Sequence, residues 1–162
     1  MKITSKSQLE KYIKDSIADV LLNEVTESIR KDELDAIDRY IYEDSTFSPK
    51  MYERRKKNDG LGDPNNIRGE VISNKNICRL EVGNYTLANP DIRYDGQFYM
   101  RSVNEGLYLT PIIIGGRGYE FDFKYRGVPR DFIEGTKENM YTFKSYLIAF
   151  KQGLERKGFS VE

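Results

Sequence analysis

Residues 67–83 read IRGEVISNKNICRLEVG, and they decide the fold class. Two β-like runs, 67–73 and 77–83, flank the turn formers Asn74-Lys75-Asn76, the pattern of a hairpin. In the second run Cys78, Leu80 and Val82 alternate with Arg79 and Glu81. Side chains on a strand point to opposite faces in turn, so one face is buried and the other wet. Upstream the period changes from two to between three and four. Leu9, Ile13, Ile17, Val20, Leu21, Val25 and Ile29 form one apolar stripe on a helix over 7–31. Ser7 and Glu10 have the spacing of a capping box at its start. A shorter segment with Leu34, Ile37 and Ile41 follows. Downstream, Met140, Phe143, Leu147, Phe150 and Leu154 give a second amphipathic helix, with Thr136 as N-cap and Gly158 as its stop.

Between these helices the chain has further signals. Ser48-Pro49 suits a cap followed by proline at the first helical position, which predicts a short helix over 49–57. Gly60, Gly62 and Asp63-Pro64 make 58–66 a loop. Residues 84–106 lack a clean period and contain Asn89-Pro90-Asp91 and Asp95-Gly96, so they read as a long loop with room for one short hairpin. An apolar run, Leu107 to Ile114, ends at Gly115-Gly116. Tyr119, Phe121, Phe123 and Tyr125 then alternate with Glu120, Asp122 and Lys124 as a strand. We count 67–134 as sheet interrupted by the 84–106 loop. The expectation is one α+β domain over 1–162: two amphipathic helices on a small antiparallel sheet, with a motif-bearing connection (42–67) after the first helix.

Composition narrows the chemistry. The 26 basic and 26 acidic residues cancel, so no general basic field draws nucleic acid to the surface, and repulsion does not oppose self-association. Histidine is absent and Cys78 is the only cysteine, which removes intrachain disulfides, cysteine metal cages and most histidine-based catalysis. The N-terminal segment has no apolar signal core, and no run approaches the ~18 apolar residues of a membrane span. The expectation is a soluble protein of a reducing compartment, with no cofactor and no membrane partner. Its 12 tyrosines suit half-buried and interface positions.

Three clusters invite a functional reading. Pro90-Asp91 followed by Asp122-Phe123-Lys124 resembles a metal-dependent nuclease core, with Asp91 and Asp122 holding Mg²⁺ and Lys124 orienting water. The plainer reading makes Asp122 and Lys124 the wet face of an aromatic strand. Tyr52 with Arg54-Arg55-Lys56-Lys57 has the character of a phosphate patch. The acidic residues around it favour fixed arginine ion pairs with the lysines left in water. Gly115-Gly116-Arg117-Gly118 lacks the Lys-Ser/Thr of a phosphate loop and reads as a tight turn.

Three stretches together resemble the head–tail joining (neck, or tail-completion) proteins of long-tailed bacteriophages. The first is Tyr42, Ser48-Pro49, Tyr52-Glu53-Arg54-Arg55, Gly60-Leu61, Asp63 and Asn66-Ile67, set after an N-terminal helix. The second is Leu109-Thr110-Pro111-Ile112-Ile113-Ile114-Gly115. The third is Gly127-Val128-Pro129-Arg130-Asp131-Phe132-Ile133, before the last helix. Ile114 stands where Glu or Tyr is usual, and Asp131 replaces a second proline.

The resemblance implies a structural virion protein and not an enzyme. It would form a homo-oligomeric ring between a portal-side connector protein and a tail-tube or terminator protein, with DNA passing through without sequence-specific binding. Tyr42, Pro49, Tyr52, Arg54, Arg55, Leu61, Asp63, Asp95, Phe98 and Tyr99 are the expected interface residues. The alternatives are the nuclease built on Asp91, Asp122 and Lys124, and another tail ring subunit such as a terminator.

Overall fold

A computed structural model describes residues 3–43, 57–74, 77–87, 91–93, 99–101, 108–115 and 129–161. It is α+β, as the sequence implies. The N-terminal helix is longer than its apolar stripe suggests. It runs from α1 (Lys6–Val20) through a π turn (Leu21–Val25) into α2 (Thr26–Ile37) and a second π turn (Asp38–Tyr42). The segments expected as 7–31 and 34–41 are therefore one rod. No glycine or proline interrupts it, so nothing in the backbone stops propagation. Each π turn adds a residue to a turn and shifts the phase of the stripe. At the first of them the Thr26 hydroxyl donates to the Leu21 carbonyl at 3.0 Å.

The rod starts two residues before the expected cap. Ser5, not Ser7, is the N-cap, its hydroxyl accepting from the Gln8 N–H at 3.2 Å. Gln8 in turn accepts from the Thr4 N–H and hydroxyl, each at 2.9 Å. The apolar stripe is buried only from its middle onward. Val20, Val25, Ile37 and Ile41 are buried, whereas Leu9 and Ile13 are exposed because the first turns extend past the elements that cover the rest.

The hairpin forms between the two expected runs. Strand β1 (Ile67–Ser73) pairs antiparallel with β2 (Cys78–Asn84), from Ile67 opposite Asn84 to Ser73 opposite Cys78. The turn is closed by Asn74, whose N–H donates to the Ile77 carbonyl at 3.0 Å and whose side chain accepts from the Ile77 N–H at 3.2 Å. Cys78, Leu80 and Val82 are half-buried and Arg79 and Glu81 exposed, the alternation read from the sequence. Inside the expected 84–106 loop, β3 (Asp91–Arg93) pairs antiparallel with β4 (Tyr99–Arg101).

Two segments differ from expectation. The run at 107–114 contributes a helix, α3 (Leu109–Ile114), where sheet was expected. Pro111 explains this: it lacks the N–H a central strand requires, but in a first helical turn that N–H has no partner anyway. The C-terminal helix begins earlier and is broken. Asp131 caps α4 (Phe132–Phe143), accepting from the Glu134 N–H at 2.9 Å. Thr136, the expected cap, lies inside the helix and donates to the Phe132 carbonyl at 2.7 Å.

Lys144 then adopts the left-handed conformation (φ 50°) and divides α4 from α5 (Ser145–Arg156). That corner turns Phe143 and Leu147 outward, so neither joins the core stripe on which they were placed. Gly158 does end the helix, at φ +89°. Its N–H reaches the Glu155 carbonyl at 2.9 Å, and the Phe159 N–H reaches the Leu154 carbonyl at 3.1 Å, the paired bonds of a Schellman stop. The helix expected over 49–57 lies outside the described residues except at its last position, and the strand over 119–125 lies wholly outside them.

The rod lies between the hairpin and the C-terminal helices and contacts both. Close approach is set by glycine at three points. A Cβ on Gly69 would overlap Thr26, one on Gly135 would lie 2.5 Å from the Tyr40 ring, and one on Gly153 would overlap Val20. The seam with α4 and α5 is polar. Asn139 donates to the Asp32 carbonyl at 3.1 Å and the Asp35 carboxylate at 3.0 Å, and Ser145 donates to the Asp32 carboxylate at 2.5 Å. Gly153→Ala tests this packing. The gain in helix propensity of about 1 kcal/mol opposes an overlap cost of roughly 1–3 kcal/mol against a fully buried valine. We expect a net loss of up to about 2 kcal/mol, seen as a lower urea midpoint with an unchanged slope.

Candidate functional site

Among the described residues a polar clasp converges where loop, hairpin and rod meet. The loop after the expected short helix turns at Asp59, which has φ 55°, and ends in a 3₁₀ turn, Pro64–Asn66. Asp63 caps that turn. Its carboxylate accepts from the N–H groups of Asn65 and Asp59, each at 2.9 Å. Those bonds, Asn65 first, hold its carboxyl below the usual carboxylate range.

The middle of the loop is buried: Leu61 is 3% exposed, and Gly60 and Gly62 are covered beside it. Backbone groups placed there need partners. The Gly62 N–H donates to the Tyr42 hydroxyl at 3.1 Å, from the end of the rod. The Gly60 carbonyl accepts from the Asn66 amide and the Thr86 hydroxyl, both at 3.2 Å. The Leu61 carbonyl accepts from the Asn84 amide at 3.1 Å. Asn84 Oδ1 accepts from the Thr86 N–H at 3.1 Å and its hydroxyl at 2.6 Å.

The same two residues hold α3. The Leu109 N–H donates to the Thr86 carbonyl at 2.7 Å, and the Thr110 hydroxyl donates to the Asn84 carbonyl at 3.3 Å. Beyond α3, the Arg130 N–H donates to the Ile113 carbonyl at 3.3 Å, tying in the start of α4. Beneath this polar layer lies the main apolar cluster: Ala36, Ile37, Ile41, Leu61, Ile67, Ile113 and Phe132. Tyr42→Phe would strand the covered Gly62 N–H, and we expect it to cost about 1–2 kcal/mol of unfolding free energy in a denaturant titration.

The residues named from sequence separate clearly. Tyr42, Leu61 and Asp63 meet in the clasp. Leu61 faces the core, so its side chain anchors the loop instead of presenting a contact to a partner, because an apolar side chain covered on all sides gains more there. Tyr99 lies on β4, opposite Arg93. Pro49, Tyr52, Arg54, Arg55, Asp95 and Phe98 lie outside the described residues. Asp91 lies on β3, opposite Arg101, and its expected partners Asp122 and Lys124 lie outside the described residues. Among the described residues, no three His, Cys, Asp or Glu side chains form a group able to hold a metal ion, and no helix is long and apolar enough to cross a membrane.

Asn84, Thr86, Asn66 and Glu33 were missed because buried polar residues do not show as hydrophobic periodicity. One signal was available. Leu80 and Val82 point inward on β2, and the same two-residue step continues to Asn84 and Thr86, both buried. The alternation outlasts the apolar residues that reveal it.

Fold and site together define a small α+β protein in which a motif-rich connection is clasped to a helical rod by structural hydrogen bonds. A family model matches residues 5–156, nearly the whole chain, and the chain belongs to the YomN family. The family name suggests a phage-encoded protein. No curated protein and no solved structure gives a significant match.

Proposed function

We propose that the protein is a structural component of a tailed-phage virion, a subunit of a ring at the head–tail interface. It joins a portal-side connector protein to a tail-tube or terminator protein, and DNA passes through the ring without sequence-specific contacts. It works by assembly and not by catalysis. It is made in the host cytoplasm and ends in the neck of the particle. A closed ring uses two different faces of each subunit, related by rotation. A neutral net charge leaves such contacts free of general repulsion.

One observation carries this reading. The three stretches that resemble neck proteins are far apart in sequence, yet their described parts share one core. Leu61 and Ile67 from the first, Ile113 from the second and Phe132 from the third belong to the same buried cluster, with Tyr42, Leu109, Ile114 and Ile133 packed against it. Their shared burial is consistent with stretches that the fold holds in fixed positions. The nuclease alternative rests on Asp91, Asp122 and Lys124, of which the last two lie outside the described residues.

The test is genetic and visual. Removing the gene from the phage that encodes it is expected to leave DNA-filled heads beside separate tails of normal length in negative-stain images. Infectious tailed particles would refute the proposal. Tails of uncontrolled length would move the assignment to a terminator.

A further inference from the structure

The corner between α4 and α5 carries apolar surface that the core does not take up. Tyr141 is 74% exposed and Phe143 64%, and Leu147 and Ile148 just past the corner are exposed as well. Single apolar residues in water are ordinary, but four large ones within residues 141–148 form a patch. An aromatic side chain offers roughly 150–250 Å², so the corner leaves on the order of 400 Å² of apolar surface in water. That suits the apolar centre of an interface covering roughly 800 Å² on each partner. Two lysines flank it: Lys144 at the corner itself and Lys151 one turn along α5, both exposed. Lys137, Arg156 and Lys157 nearby pair with Glu134, Glu24 and Asp19, whereas Lys144 and Lys151 have no ion-pair partner among the described residues.

The hairpin presents a second face, of complementary character. Gly69 on β1 lies against Thr26 of the rod, so its neighbours Arg68 and Glu70, and Ile72 beyond them, take the outer face. On β2 Arg79 and Glu81 share that face. The register sets Glu70 directly opposite Glu81, where like charges repel. Arg79 pairs with Glu81, and Arg68 donates to the Asn65 carbonyl. Glu70 is left without a cation among the described residues. Ile72, opposite Arg79, is exposed, and Ile77 beside the turn is 61% exposed. This face lacks a cation and an apolar cover, and the α4–α5 corner offers both. The rod lies between the hairpin and the C-terminal helices, so the two faces meet in different copies of the chain.

We propose that the α4–α5 corner of one copy docks on the outer hairpin face of the next. Tyr141, Phe143, Leu147 and Ile148 cover Ile72 and Ile77, and Lys144 and Lys151 compensate Glu70. Removing the apolar side chains from water drives the contact. The lysine–glutamate pairs decide which faces meet, because a corner against a corner would set lysine against lysine. A contact between two different faces repeats from head to tail, and the zero net charge does not oppose it. The closing of that repeat into a circle rests on the ring proposed above; the pairing of the two faces does not.

Sedimentation velocity on the full chain tests the pairing. Phe143→Gln with Leu147→Gln blunts the corner, and Ile72→Thr with Ile77→Thr blunts the hairpin face; these replacements keep helix and strand propensity. The parent is expected to form species larger than a dimer at high micromolar concentration, and each variant alone to stay monomeric. Mixed, the two variants should form a two-chain complex and nothing larger, because one intact corner meets one intact hairpin face. A monomeric parent, a variant that assembles by itself, or a mixture without the complex would overturn the proposal. Glu70→Lys guards against a trivial loss of folding. Ending the repulsion with Glu81 should raise its urea midpoint, yet assembly should weaken by at least about tenfold. Assembly of Glu70→Lys as tight as the parent's would sink the charge pairing. Failure here leaves the ring to be judged separately, by the particles formed when the gene is removed.

Discussion

Replacing Asn84 by alanine is expected to cost about 3–5 kcal/mol, because one side chain serves three groups. Its amide satisfies the Leu61 carbonyl, and its Oδ1 satisfies the Thr86 N–H and hydroxyl. Each buried polar group left alone carries a penalty of roughly 1–3 kcal/mol, partly relieved by local relaxation. The loss falls where loop, hairpin and α3 join, so it should act locally before it acts globally. Urea denaturation of Asn84→Ala should show a large drop in midpoint. Exchange at Gly62 and Leu109 should rise well before amides at the α2–α4 seam respond. A variant within about 0.5 kcal/mol of the parent would show that the clasp is not a structural element.

Phe132→Ala should be comparably severe, at about 3–5 kcal/mol. Phe132 is fully buried and stands at the first position of α4, where the rod, the 57–67 connection and α3 meet. Truncation removes the transfer free energy of the ring and leaves a cavity bounded by backbone already fixed in three elements, so collapse is limited. A domain of this size has about 5–15 kcal/mol in total, and the variant should unfold at markedly lower urea with a similar slope. Phe132→Leu, which keeps most of the apolar volume, should recover much of the loss. If alanine and leucine behave alike, the ring is not the keystone described.

The two variants also separate the layers of the site. Asn84 and Phe132 both meet Leu61, one bonding its carbonyl and the other sharing its cluster. A double variant less than additive would show that loop and core yield together.

Periodicity and turn chemistry determined much of this protein without any coordinates. The alternation from Cys78 to Val82 and the Asn74 to Asn76 turn formers marked the hairpin. The stripe through Val20, Val25 and Ile29 defined a helix, and Gly158 marked the stop of the last one. These signals are local, because each rests on which neighbours share a face or on which residue tolerates an unusual backbone angle. Tertiary structure decided the rest. It joined two helical segments into one rod and made 109–114 helical around Pro111. It broke the last helix at Lys144 and moved its start to Asp131. Above all it placed Glu33, Asn66, Asn84 and Thr86 inside. A polar residue is buried only when a partner arrives from elsewhere in the chain, and here the Asn84 amide finds the Leu61 carbonyl of the 57–66 loop. That long-range condition has no period to read, so the clasp emerged only when the distant stretches met.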